Sequence, residues 1–211
     1  MIKILKDRTN IVLLGAWNRN IFSPKWLLSN IFVNIRELEL EIGVQPGLPN
    51  RLIGEEIVLI PQNTKLIIAP QTYNDTVLLR LQSIAKKILE TLQHTPVSAV
   101  GLNFVFQITE PSLEIINKFP SDLFGEVFTD SDLTIKTREY KWQALFEDRI
   151  INLSINLDDS GIIVEVNFHK NVSSASEASS AIDDNLLRFK SIALKLLTDI
   201  TGLETSDIQV A

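Results

Sequence analysis

The chain holds two imidazoles, His94 and His169, and no cysteine. An imidazole titrates near neutrality and serves as a general base or a metal ligand. For one element to close two of them on an ion, they must stand in an HxH, HxxxH or HExxH spacing, and neither histidine does. His94 ends a helical stretch just before Thr95-Pro96, where the helix dipole favours a cation. His169 falls at a strand end, on the face away from the apolar set. The absence of cysteine excludes disulfides, thiolate catalysis and cysteine-ligated zinc or iron–sulfur centres.

The acids offer more candidates. Asp158-Asp159 supply hard oxygen ligands of the kind a calcium or magnesium ion takes, but the spacing is not that of an EF-hand loop. Turn chemistry already accounts for both, because Asp and Ser bond their own backbone and Gly161 accepts positive φ. Glu126, Asp130 and Asp132 lie in a connector, and Asp183-Asp184 suit the first turn of a helix. Paired carboxylates perform acid–base work when their surroundings push their pKa values apart, yet no spacing here brings these groups together. There is no GxSxG elbow, P-loop or GxGxxG. No catalytic residue, metal ligand or cofactor is therefore assigned.

The remaining candidates are binding surfaces. Trp17-Asn18-Arg19-Asn20, with Phe22 and Trp26, combines large aromatics with polar donors. Such tryptophans are more often core anchors; if exposed, Trp17 and Trp26 are candidate contacts. Phe119, Phe124 and Phe128 sit in or beside loop-like sequence and need burial, in this chain or against a partner. Glu37, Glu39 and Glu41 form an acidic strand face suited to solvent or to a basic partner.

The elements that must position these residues are legible in part. In residues 151–157, Ile151, Leu153, Ile155 and Leu157 alternate with Asn152, Ser154 and Asn156. After a turn at Asp158–Gly161, the alternation resumes with Ile162, Val164, Val166 and Phe168. Period two puts each apolar set on one face, and closing the hairpin pairs Leu157 with Ile162 through to Ile151 with Phe168. A preceding strand carries Tyr140, Trp142, Ala144 and Phe146, with a turn expected at Asp148-Arg149 that sets Phe146 opposite Ile151. A bulge or bend is expected near residues 137–139, where the apolar phase switches. This three-stranded meander leaves Leu145, Ile163 and Ile150 on an otherwise polar outer face, with Leu145 and Ile163 expected to form one small patch.

Elsewhere, residues 10–17 read as a buried strand and Ser23-Pro24 open a short helix through about Phe32. Residues 37–42, 53–60 and 65–68 read as strands. A long amphipathic helix spans 72–93, with Leu78, Leu81, Ala85, Ile88 and Leu92 as its stripe. Residues 97–108 read as a central strand, Pro111 opens a short helix, and 171–180 read as a mobile loop. The last long helix runs from about Ser179 or Ala181 to Thr201, with Gly202 as its stop and a loosely held tail beyond. The expected fold is α+β: an antiparallel sheet, including the C-terminal meander, with two long amphipathic helices on its apolar face. The expected organisation is a single domain over 1–211, with sub-halves at 1–95 and 96–211.

A net charge of −6 and a pI of about 5.0 disfavour nucleic acid and anionic membrane as partners. No apolar run approaches the roughly 18 residues of a membrane span, and charge interrupts the N-terminus too early for a signal peptide, so a cytoplasmic protein is expected. The reading that follows is a non-catalytic binding or assembly protein that self-associates or joins a protein partner. Its interface candidates are Leu145, Ile163, Ile150, Trp17, Trp26, Phe124 and Phe128. The alternatives are a small-molecule enzyme using scattered Asp, Glu and His, and a chaperone-like binder of unfolded segments.

Overall fold

The computed structural model describes residues 1–43, 45, 48–119, 135–183, 186–203 and the backbone of 208–210. Its strands are β1 (Ile2–Ile4), β2 (Asn10–Gly15), β3 (Glu39–Glu41), β4 (Arg51–Gly54), β5 (Ile57–Pro61), β6 (Lys65–Pro70), β7 (Val97–Ile108), β8 (Thr137–Phe146), β9 (Arg149–Asp158), β10 (Gly161–Asn171) and β11 (Ile208–Val210). Its helices are α1 (Pro24–Asn30), α2 (Asp75–Thr91), α3 (Leu113–Asn117), α4 (Ala175–Ile182) and α5 (Leu186–Thr201). One sheet holds every strand, in the order β3-β4-β5-β6-β2-β7-β10-β9-β8. Neighbours in that order are antiparallel; β1 continues the β2 side of β7, and β11 pairs with β1 in parallel. The tail expected to hang loosely thus returns to the sheet.

Strand β7 explains the arrangement. Val100, Leu102, Phe104, Phe106 and Ile108 are buried on one face, and Ala99, Gly101 and Val105 on the other. Helices α2, α4 and α5 cover the first face with Leu78, Leu81, Ala85, Ile88, Ala178, Phe189 and Leu197, all in one core with the strands of both sequence halves. Phe168 of β10 lies edge-on to Phe104 at 6.1 Å and against Phe189 of α5 at 4.6 Å. Each helix start is capped where the sequence permits. Ser23 accepts from Trp26 N–H at 3.3 Å and Asn74 from Val77 N–H at 2.9 Å, relieving amides that have no partner within the helix.

Residues 171–180 are not a loop: helix α4 begins at Ala175. Ser174 accepts from Glu177 N–H at 3.1 Å, while Ser173 donates both its N–H and its hydroxyl to the Glu177 carboxylate at 2.8 Å. The serines that read as loop formers are a cap. Ala175, Ala178, Ala181 and Ile182 then bury one face, and their small side chains let α4 lie close on α2. The expected last helix is consequently two helices. At the second, Gln82 of α2 accepts from Leu186 N–H at 3.1 Å, so one buried amide caps α5 from another helix. Gly202 ends α5 at φ +74°, where Lys118 Nζ approaches to bond Thr201 O at 2.9 Å.

Two strand expectations also change. In the edge strand β3 the apolar set is not core: Leu40 is 43% exposed and Ile42, just past it, 67%. Strands β9 and β10 pair Leu157 with Ile162, Ile155 with Val164, Leu153 with Val166 and Ile151 with Phe168. The β8–β9 pairing, however, sets Phe146 opposite Arg149 and Ala144 opposite Ile151, because the turn is Glu147-Asp148 with Glu147 at φ +55°. Arg149 shares the helix-side parity of Ile151 and is buried, so β9 starts earlier than a polar residue suggests. The pairing runs from Thr137 to Phe146 without a register shift, so the apolar phase switch marks the start of β8 and not a bulge inside it.

On the face away from the helices, one row of amide side chains crosses five strands in direct register. Gln143 donates to Asn152 at 2.8 Å, Asn152 to Asn167 at 2.8 Å, Asn167 to Asn103 at 2.7 Å and Asn103 to Asn10 at 2.8 Å. Asn10 ends the row on Arg8 O at 3.2 Å. Gly101 lies alongside, and a Cβ there would come within 3.0 Å of the Asn167 amide nitrogen. Replacing Asn167 with Ala leaves an acceptor on Asn103 and a donor on Asn152 without partners. We expect a loss of about 1–2 kcal/mol, the lower part of the range for an unmade hydrogen bond because water reaches this face. Urea unfolding at constant m-value measures it, and an unchanged midpoint would mean that the row adds no stability.

Candidate functional site

β8 is the last strand in the sheet order. One side bonds β9, and among the described residues no strand pairs with the other. An edge of ten residues presents a row of outward N–H and C=O groups, a template for another strand. Proteins usually blunt such an edge with proline, a bulge or shortness; β8 has none of these. Its side chains are open on both faces: Trp142 is 49% exposed on the helix side and Leu145 79% exposed on the outer side. On the outer side, Glu139 and Lys141 pair at 3.0 Å.

The helix-side face of this edge is aromatic. Tyr140 stacks on Trp142 with centroids 5.9 Å apart and planes 9° apart. The Tyr140 hydroxyl donates to Phe119 O at 3.3 Å, which ties β8 to the end of α3. With Leu153, Ile155 and Ile200 these rings line an open cleft of about 490 Å³.

The opposite end of the β8–β9 hairpin is clamped. Glu147 pairs with Arg188 of α5, and Asp148 with Lys170 of β10 at 2.5 Å. Arg188 holds the Glu147 carboxyl below its ordinary range through a side-chain hydrogen bond, and Lys170 does the same for Asp148. Between them Arg149 turns inward. Its guanidinium donates to Ala181 O near the end of α4 and lies 4.6 Å from the Phe189 ring centroid. Burial pushes its pKa down, while Asp148 and Glu147 push it back up. Its Nη1 is buried without a hydrogen-bond partner.

Among the interface candidates, Leu145 lies opposite Ile150, which in turn faces His169 across β10, so this pair shares one surface. Ile163 does not join it. It sits opposite Asn156 and Gln107, and from Ile150 to Asn156 along β9 is about 20 Å. The antiparallel turns at the two ends of β9 send the two residues to opposite ends of the meander. Trp17 is 4% exposed, donates its indole N–H to Leu13 O at 3.0 Å and packs against Phe22, so it is a core anchor and not an interface contact. Trp26 is half-buried against the same phenylalanine. Phe119 is buried, and Phe124 and Phe128 lie outside the described residues.

The residues considered for chemistry stand apart. His94 is exposed in the turn after α2, and His169 has Nε2 3.0 Å from Asn171 Oδ1. Asp158 accepts from the Ser160 amide at 2.7 Å and its hydroxyl at 2.5 Å, which holds its carboxyl below the usual range. Asp183 pairs with Lys86 at 2.5 Å; Asp184, Glu126, Asp130 and Asp132 lie outside the described residues. Among the described residues, no three His, Asp or Glu side chains are grouped so as to hold a metal ion. None of the described helices is long and apolar enough to cross a membrane.

The chain is thus an α+β protein with a large antiparallel sheet and, among the described residues, an unpaired strand edge. Comparison with protein-family models, curated proteins and solved structures gives no significant match.

Sequence reasoning missed Arg149 because a lone arginine beside a turn reads as surface; the signal was its odd position, in phase with Ile151. Replacing Arg149 with Ala opens a void beside Phe189 and removes the guanidinium's bond to Ala181 O. We expect a loss of about 2–3 kcal/mol by urea unfolding. Arg149→Met keeps the volume and removes an unpartnered buried N–H, so its cost should be about 1 kcal/mol or less. Equal losses for the two variants would show that the guanidinium's polar contacts, not its volume, are what matter.

Proposed function

We propose that this chain is a non-catalytic assembly protein that pairs strand β8 with β8 of a second copy, extending the sheet across a two-fold axis. The observation that carries the reading is the open ten-residue edge, which has apolar side chains exposed on both faces. In the register centred on Tyr140, the added strand spans residues 137–143 and covers Trp142, while Leu145 lies just beyond the overlap.

The sequence of β8 fits its own antiparallel copy. With Tyr140 on the axis, Glu139 of each copy stands opposite Lys141 of the other, and Arg138 opposite Trp142. The first pairing places opposite charges across the outer face, and the second a guanidinium by an indole on the helix side. Thr137 opposes Gln143, so no like charges meet. The symmetry is isologous, which repeats each favourable pair twice. Exposed ion pairs add little affinity. Their role in this interface is to select the register, while main-chain hydrogen bonds and the apolar groups hold it. Binding ranks ahead of catalysis because the carboxylates and imidazoles that are described do not converge.

Multi-angle light scattering at tens of micromolar should give twice the 23.8 kDa chain mass. Lys141→Glu sets four acids around the axis, and we expect the dimer constant to weaken about tenfold or more. Adding Glu139→Lys restores complementarity with the signs exchanged and should restore the dimer. A wild-type monomer, or a single variant that dimerises as well as the wild type, overturns the reading.

A further inference from the structure

A second open site lies at the other end of the sheet. A cleft of about 690 Å³ is enclosed by the β5–β6 turn, the segment after β2 and the strand pair β3–β4. That volume is within the ~300–1,000 Å³ typical of small-molecule sites. Its polar wall is Arg19, Asn20, Asn50, Gln62 and Asn63, and its apolar wall includes Phe22, Leu40, Leu52 and Pro49. Among the described residues no aspartate or glutamate lines it. Among the described residues Arg19 is the one charged group lining it and has no ion pair.

The polar wall is held in place. Trp17 N–H donates to Asn63 O at 2.9 Å and Gly15 N–H to Thr64 O at 3.0 Å, so the segment after β2 is bonded to the β5–β6 turn. Asn18 accepts from Asn20 N–H at 3.1 Å and closes the helical turn Arg19–Ile21. Buried Trp17 and Phe22 anchor the two sides of that turn. The side chains of Asn20, Gln62 and Asn63 make no hydrogen bond to other described residues, while Asn50 uses only its oxygen, accepting from Gly43 N–H at 3.3 Å. Leu40, which a core strand would bury, faces this cleft.

We infer that the cleft binds a small organic anion, its carboxylate or phosphate on the Arg19 guanidinium and its apolar body against Phe22, Leu40 and Leu52. Guanidinium forms bidentate charge-assisted bonds with either headgroup, and the neighbouring amides supply donors to the oxygens left over. The cleft is built on β3–β6 and the assembly edge on β8, at opposite ends of the strand order, so either reading can fail without the other.

Titration calorimetry with phenyl phosphate and phenylacetate tests both headgroups, with inorganic phosphate and acetate as headgroup-only probes and phenylacetamide as the uncharged body. We expect submillimolar binding of at least one aromatic anion, at least tenfold weaker binding of the headgroup alone and of the amide, and a further tenfold loss in Arg19→Ala at unchanged thermal midpoint. Binding of one aromatic anion and not the other identifies the headgroup. No binding of either, equal binding of phenylacetamide, equal binding of the bare headgroup, or full binding by Arg19→Ala overturns the inference.

Discussion

Strand β7 is hydrogen-bonded along both edges and buried on both faces, and the rest of the molecule is arranged to satisfy it. A strand in that position cannot lose a backbone bond to water, so every residue of its twelve needs a neighbour on each side. β10 supplies one side from Ala99 to Ile108, and Val172 N–H, just past its end, bonds Ser98 O at 3.0 Å. The other side needs two strands in succession, β2 and β1, with the turn Lys6–Arg8 stepping between them. Thr9 fills the gap at that step: its hydroxyl accepts from Val105 N–H at 3.3 Å, and it is 1% exposed although polar. The amide row then crosses β7 at Asn103 and continues through β10 and β9 to Gln143 of β8. Apolar pairs would tolerate a slip by two residues with modest loss, whereas a slip of the amide row breaks several directional bonds at once.

What the sequence reveals depends on whether a residue's partner lies within its own element. The stripe of α2 and the alternation of β9 and β10 are local patterns, and the burial of Leu78, Leu81, Ile88, Ile155, Val164 and Phe168 follows from period alone. The turn at Asp158–Gly161 is equally local, because its bonds are to its own backbone. Arg149, Gln82 and the serines of α4 are different. Each is polar by composition and structural by position, and each is satisfied by a group from another element or by a cap that looks like loop sequence. Leu40 and Ile42 fail in the opposite sense. They alternate like core residues, but they belong to an edge strand with no helix above it. The separation of Leu145 from Ile163 was lost for a related reason. Which end of a strand a residue occupies depends on where two turns fall, and Leu145 and Ile163 stand beside the turns at opposite ends of β9.

The candidate sites inherit this pattern. Trp17 and Phe22 were conspicuous as aromatics, but their contribution is to fix Arg19 and Asn20, the less conspicuous residues between them. The cleft itself is assembled from three separate segments within residues 19–64, with no shared motif, so the lack of acids among its described lining residues becomes apparent only in space. β8, by contrast, was legible as a strand with Trp142 on one face and Leu145 on the other. Its place at the end of the sheet was not, since strand order is set by long-range pairing.

An open edge with apolar groups on both faces bears on function because of what it would do if left bare. A long, unbulged edge pairs indiscriminately unless something limits its partners. In β8 the alternation Arg138, Glu139, Lys141 supplies such a limit: a slip by two positions in either direction moves Glu139 and Lys141 off their opposite charges. Charges on an edge normally repel all comers, but here Glu139 and Lys141 carry opposite signs on either side of Tyr140, so one register of one partner escapes the penalty. Selection against every other pairing, rather than strength of the chosen one, is what such an edge needs, and it is the reason a second copy of this chain fits it better than an arbitrary strand.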